Sequence, residues 1–221
     1  MYLMTCTQPD LAYPLSLLAR YMAPGRQRKV HFDAAKSVMR YLCSTLGMWL
    51  VLGGQGSVVL TGHSDASWAD DQATQHSSQG YTFSLGSGSV SWRSTRSSFV
   101  LGSNCEAEIY AGAMAAQELR WLTYLLTNLG ERPHSPPILH VDNKAMLALC
   151  REKRLEHRTK HIALRYFLAR ELQQRGQLRL AYVASRVNTA DVFTKALRSG
   201  DHQRLCTALG RVPTLPHLLV A

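Results

Sequence analysis

Acidic side chains are scarce in this 221-residue sequence, 15 against 25 lysines and arginines, and four of them sit where chemistry could use them. Asp65 closes a β-branched run that begins at Ser57. Aspartate at a strand end serves as a turn residue, or faces a ligand from there. Asp142 follows the apolar run Ile138-Leu139-His140-Val141, where a buried strand gives way to a helix. A helix N-cap would explain it, and so would a ligand site at the strand's C-terminal end. Glu106 and Glu108 open a long helical pattern. Glu108 falls in line with Gly112, Ala115, Leu119, Leu122 and Leu126, whereas Glu106 lies about 200° round the helix. The helix dipole accounts for Glu106. It does not account for Glu108, because an unpaired carboxylate is costly to bury and calls for a cation, of which a metal is one. Asp191 points away from the helical face of Ala190, Phe193 and Leu197 and reads locally as a solvated acid.

Carboxylates gathered at one point repel one another unless divalent cations neutralise them. Two such ions about 3.5–4 Å apart can generate a hydroxide and stabilise both oxygens of an in-line phosphoryl displacement. An all-oxygen ligand set suits Mg²⁺ or Mn²⁺ rather than zinc. The formal net charge of +10 attracts polyanions, and a cationic nucleic-acid surface beside an anionic metal site is what a nuclease requires.

The elements that must position these acids follow from periodicity. Leu11, Leu15, Leu18 and Met22 make one helical stripe, stopped by Pro24-Gly25, and a second amphipathic run spans Val30 to Leu42. From Trp49 the pattern is β. A three-stranded meander is expected over about 57–94, its hairpin turning at Gly86-Ser87-Gly88. A helix from Asn104 to Asn128 follows, closed by Gly130. Then come the strand at 138–141, helices over 143–152 and 159–175, a strand at 178–183 and a helix over 189–198. The order β-β-β-α-β-α-α-β-α predicts an α/β mixed sheet behind a helical lead-in.

Composition excludes several classes. Apolar residues make up 46%, a folding composition. No apolar stretch approaches the roughly 20 residues of a membrane span, and the first residues lack the basic region of a signal peptide. The five cysteines, Cys6, Cys43, Cys105, Cys150 and Cys206, form no C-x-x-C pair, which argues against a zinc ribbon or disulfide scaffold and for a reducing compartment. His157 and His161 have zinc spacing but no third ligand. Arg154, Arg158 and Lys160, in a basic stretch, and Arg93 and Arg96, after the meander, are candidate phosphate contacts. A solvated helix face is the plainer reading of the basic stretch. Trp68 and Trp92 read as packing residues rather than base-stacking platforms.

Several segments together resemble one family. They are Gly62-His63-Ser64-Asp65-Ala66-Ser67-Trp68-Ala69-Asp70, Gly80-Tyr81-Thr82-Phe83, Val90-Ser91-Trp92-Arg93-Ser94, Glu106-Ala107-Glu108, Val141-Asp142-Asn143-Lys144, His157-Arg158-Thr159-Lys160-His161-Ile162 and Ala190-Asp191-Val192-Phe193-Thr194-Lys195. In this order they are similar to the C-terminal part of Ty1/copia-type retrotransposon polyproteins, the end of reverse transcriptase and its ribonuclease H domain. The resemblance implies a ribonuclease H-like five-stranded mixed sheet with flanking helices, preceded by a helical segment. It implies residues 1–50 as the connection from reverse transcriptase, 51–200 as the ribonuclease H-like domain and 201–221 as a C-terminal tail. It implies metal-dependent cleavage of the RNA strand of RNA–DNA hybrids with two Mg²⁺, or Mn²⁺, held by Asp65, Glu108, Asp142 and Asp191. For Asp191 it overrules the local reading. A hybrid and the polymerase domain are the implied partners, in the cytoplasm (a virus-like particle) or the nucleus, with no membrane. The polymerase's double-aspartate motif is absent, so the chain is not expected to polymerise DNA. Departures at Ser67, Asp70 and Ala163, and the lack of a histidine in Ala184-Ser185-Arg186-Val187-Asn188, leave a second reading, an inactive remnant that binds nucleic acid.

Overall fold

A computed structural model describes residues 2–53, 59–131, 135–151 and 168–213. Arg154, Arg158 and Lys160 lie outside them, as do His157 and His161. The lead-in carries three helices, α1 (Tyr2–Cys6), α2 (Ala12–Ala19) and α3 (Lys29–Ser44), then a short strand β1 (Met48–Leu50). The meander follows as β2 (Leu60–Ser67), β3 (Ser78–Leu85) and β4 (Gly88–Arg96). Next come α4 (Asn104–Asn128), β5 (Ile138–Val141), α5 (Lys144–Arg151), α6 (Leu168–Gln174) and β6 (Arg179–Tyr182). After β6 come a 3₁₀ helix, Thr189–Phe193, then α7 (Ser199–Ala208) and β7 (Arg211–Pro213).

The expected mixed sheet is present, in the order β4-β3-β2-β5-β6. β2, β3 and β4 pair antiparallel, while β5 runs parallel to both β2 and β6. Alternation of side chains assigns its two faces. Leu60, Tyr81, Phe83, Leu139 and Val141 share one core with Ile109, Ala115, Leu119 and Leu122 of α4. The opposite face of β4 meets the 3₁₀ helix and α7, where Val192, Phe193, Leu205, Cys206 and Leu209 enclose Ala12 of the lead-in, with Trp92 against them.

Two stretches depart from the periodicity. α2 gives up α-helical bonding at Ala19 rather than at Pro24 and runs on through tighter turns, Tyr21 N–H to Leu18 O at 3.0 Å and Met22 N–H to Ala19 O at 3.3 Å. The helix expected over 189–198 is the 3₁₀ helix alone. Asn188 accepts from Ala190 N–H at its start, and the Thr194 amide closes it on Asp191 O. In and just before 201–221, the stretch that the resemblance gives as a tail, α7 and β7 form, and β7 pairs antiparallel with β1. Arg211 and Asp10 join these ends inside the protein. Arg211 Nε lies 3.4 Å from Asp10 Oδ1, Arg211 Nη1 donates to Met48 O at 2.9 Å, and the Tyr41 hydroxyl donates to Asp10 Oδ2. Among the described residues no helix is long and apolar enough to cross a membrane, and all five cysteines are free.

Candidate active site

Register alone brings the first two acids together. His63 of β2 pairs with His140 of the parallel β5, so the residues two further on, Asp65 and Asp142, leave adjacent strands at the same level. Neighbouring strands stand about 4.8 Å apart. Asp142 is not spent on capping α5, because Asn143 Oδ1 takes the Met146 amide at 2.9 Å.

Asp191 arrives by a different route. In a 3₁₀ helix residues i and i+3 eclipse, so Asp191 and Thr194 point the same way, toward β2. Two contacts hold this turn against the sheet. The Asn188 side-chain Nδ2 donates to Ser64 O at 3.1 Å, and the Ser94 hydroxyl donates to Phe193 O at 2.7 Å. Gly80, paired with Asp65 across β2 and β3, makes the approach possible. A Cβ there would stand 2.5 Å from Phe193 Cβ and 3.1 Å from Thr194 Cγ2.

Carboxylate oxygens of Asp65, Asp142 and Asp191 thus lie within 4.8 Å of one another. Glu108, the fourth acid expected there, is outside that 4.8 Å group; from the first turns of α4, buried at 4% exposure, it adds its charge beside the three. Glu106 is separated from it by its cap role, its Oε2 accepting from Gly102 N–H at 2.7 Å while its own amide donates to Ser103 Oγ. Gly112, one turn beyond Glu108, admits Met146 of α5, whose Cε would be 2.2 Å from a Cβ at that position. That close packing seats α5, and the Asp142 junction before it, against α4.

The electrostatics follow from burial and crowding. Burial raises the Asp65 carboxyl and the Asp142 charge adds to it, against the pull of Lys195 and Thr194. Burial, then Asp65 and Asp142, push Glu108 up to about 10. Asp191 is pushed up to about 7 by burial and Asp65. Among the described residues, one cation stands between them. Lys195 Nζ lies 3.0 Å from Asp191 Oδ1 and 3.5 Å from Asp65 Oδ2. Burial works against its ammonium, but Asp65 and Asp191 outweigh that and raise its pKa. Thr194 donates its hydroxyl to Asp65 Oδ2. Beneath the acids the rings of His63 and His140 stack, centroids 4.8 Å apart. Burial lowers both, His63 to about 4, so this floor is neutral at pH 7.

The donor set fits hard divalent cations. It is all carboxylate oxygen, and Glu108 Oε2 is buried with no hydrogen-bond partner among the described residues. The basic candidates are less uniformly placed. Arg96 shares the Asp65 face of the sheet, two residues beyond Ser94, but it is engaged by Asp71 at 2.9 Å, as is Arg20 at 3.5 Å. Arg93 falls on the α4 face, beside Tyr81 and Glu118. Trp68 donates its indole N–H to Leu101 O, and Trp92 to Met4 O. Thr194, Lys195, Asn188 and Gly80 were not assigned roles from sequence. Gly80, Thr194 and Lys195 fall in segments that carry the family resemblance, and all four have a positional signal: three and four residues after Asp191, at the cap before it, and opposite Asp65.

No family model matches the chain. It is 34% identical over 209 residues to the retrovirus-related Pol polyprotein from transposon RE1 of Arabidopsis thaliana, covering 94% of this chain. It is 35% identical over 210 residues to that from transposon RE2, covering 95%. The chain spans 14% of the length of either polyprotein. A shorter relative, secreted RxLR effector protein 161 of Plasmopara viticola, is 42% identical over 123 residues, 56% of this chain and 85% of that protein. Among solved structures it is similar to the N-terminal RNase H domain of a Mycobacterium tuberculosis protein, with 14% identity and a TM-score of 0.45, over 69% of this chain and 99% of that one.

Proposed function

Since the chain belongs with the Pol polyproteins of copia-type transposons, we propose that it is their ribonuclease H part, a nuclease that hydrolyses the RNA strand of RNA–DNA hybrids. The observation that carries this is the meeting of Asp65, Asp142 and Asp191 oxygens within 4.8 Å, from three separate segments of a basic chain. Asp65, Asp142, Asp191 and Glu108 would hold two Mg²⁺, or Mn²⁺. Bound there, such ions supply a deprotonated water and offset the charge on the attacking and leaving oxygens. The protein's own groups do the rest. Thr194 fixes the orientation of Asp65, and Asn188 ties the turn that carries Asp191 to β2. The neutral His63–His140 pair closes the floor without adding charge. Basic side chains, with Arg96 on the site face and Arg93, Arg154, Arg158 and Lys160 as further candidates, would hold the hybrid's phosphates. The polymerase part of the same polyprotein is the proposed partner, and the inside of the cell the proposed location.

The test is a hybrid labelled on its RNA strand, incubated with purified protein and Mg²⁺. RNA-strand cleavage is expected, abolished by chelator and reduced by more than about 100-fold in Asp65→Asn, the loss that even outer-shell partners of a metal approach. Salt-sensitive hybrid binding without any cleavage would instead identify a binding remnant. Cleavage undiminished in Asp65→Asn would remove the metal reading.

A further inference from the structure

The acid cluster already contains a positive charge of its own. Lys195 Nζ approaches Asp191 Oδ1 at 3.0 Å and Asp65 Oδ2 at 3.5 Å, and both oxygens belong to acids placed in the candidate metal site. The chain builds this contact locally. The turn that delivers Asp191 delivers, four residues later, a side chain long enough to reach back over it. Residue 194 lies between them and holds Asp65 by its hydroxyl. One short segment therefore supplies an anion, the cation that neutralises it, and a grip on a second anion.

We propose that the Lys195 ammonium is the resident counter-cation of this site, which a divalent ion must displace, so that Lys195 sets the affinity for metal. This deepens the reading above and rests on it. An ammonium in contact with Asp191 Oδ1 and a divalent ion on the same oxygen exclude each other by volume and by charge. One unit of positive charge cannot neutralise three carboxylates within 4.8 Å, so the exchange runs toward metal when metal is present. The lysine side chain is 38% exposed, which gives the ammonium a route to water as it leaves. With no metal bound, Lys195 keeps the cluster from pushing the 3₁₀ turn off β2. It acts as a positioning and competing residue, not a catalytic one.

The experiment compares the full chain with Lys195→Met and Lys195→Arg, following Mn²⁺ binding by electron paramagnetic resonance and calorimetry at pH 8, and melting in chelator. Lys195→Met is expected to bind Mn²⁺ at least about tenfold more tightly, given the repulsion between a unit charge and a divalent ion at contact range. Its metal-free form should melt at lower temperature than wild type. Lys195→Arg should keep wild-type behaviour in both. A second measurement needs no destabilising change. In the wild-type chain carrying methylated lysines, the Lys195 resonance, assigned through Lys195→Arg, should shift as Mg²⁺ saturates the site. Equal or weaker Mn²⁺ binding by Lys195→Met, or a Lys195 resonance indifferent to Mg²⁺, would overturn the inference and leave the metal site standing. Failure of wild type and Lys195→Met alike to bind Mn²⁺ would overturn both.

Discussion

Replacing Glu108 by glutamine offers a sharp test of the buried charge cluster, because it should stabilise the metal-free protein. Glu108 is 4% exposed, its Oε2 has no hydrogen-bond partner among the described residues, and Asp65, Asp142 and Asp191 face it. Burial first, then those neighbours, hold its carboxyl at about 10 instead of 4.5. Between those values the unfolded chain has released the proton and the folded chain keeps it, so stability falls as pH rises. Each pH unit in that window costs about 1.4 kcal/mol. From pH 4.5 to pH 7.5 the ceiling is therefore roughly 4 kcal/mol, a sizeable share of the about 5–15 kcal/mol of a typical domain. Glutamine keeps the shape and removes the titration. In chelator, Glu108→Gln should match wild type at pH 4.5 and exceed it at pH 7.5. The expected gain is on the order of 2–4 kcal/mol, or several degrees in melting temperature. Saturating Mg²⁺ should shrink or reverse the difference, because wild type then gains a ligand that the variant lacks. Urea unfolding followed by tryptophan fluorescence at both pH values measures it. A variant no more stable than wild type at pH 7.5 in chelator would refute the claim that Glu108 is held against ionisation by its surroundings.

Two further outcomes test how the site is assembled. Gly80→Ala places a Cβ 2.5 Å from Phe193 Cβ and should cost about 1–3 kcal/mol. It should also weaken Mg²⁺ binding by lifting Asp191 off β2, and a variant with unchanged urea midpoint and metal affinity would dismiss Gly80 as the gate for that turn. Asp10→Asn leaves the buried Arg211 guanidinium without its counter-charge and should cost about 3–5 kcal/mol. The double change Asp10→Leu with Arg211→Met should lose less than either single replacement in a double-mutant cycle, whereas strict additivity would show that the pair does not bind the lead-in to the C-terminal strand.

What the sequence made legible tracks the range of the forces involved. α4 and β5 were expected over the residues they occupy, because a regular apolar face closed by Gly130 and a compact apolar run are local signals. Helix geometry put Glu108 on the core face and left Glu106 a solvated acid at the helix start; Glu108 is buried there, and Glu106 in addition accepts from Gly102 N–H. Asp191 could not be read that way. A rotation of 100° per residue sends it outward, but the segment is 3₁₀, and the tighter winding sends it inward beside Thr194. β7 was illegible for another reason. Its partner β1 lies at Met48–Leu50, far away in sequence, and strand pairing over such a separation leaves no local periodicity. The Asp10–Arg211 pair is hidden in the same way.

Three acids meet within 4.8 Å and Glu108 adds its charge beside them, brought there by three independent devices, and that independence bears on function. Parallel register aligns Asp65 with Asp142. A helix face turns Glu108 inward. A 3₁₀ turn, admitted by Gly80 and tied down by Asn188, brings Asp191. Like charges converging by chance would be relieved wherever one device gave way, since a turn or helix end can relax at little cost. Here the turn and the helix are reinforced instead, the turn by the Asn188–Ser64 and Ser94–Phe193 contacts and the helix by the Met146 side chain seated against Gly112. The fold thus holds carboxylates together against their repulsion, with Lys195 offsetting part of it. A cluster maintained at that cost is better explained by cations it is built to receive than by any contribution to stability.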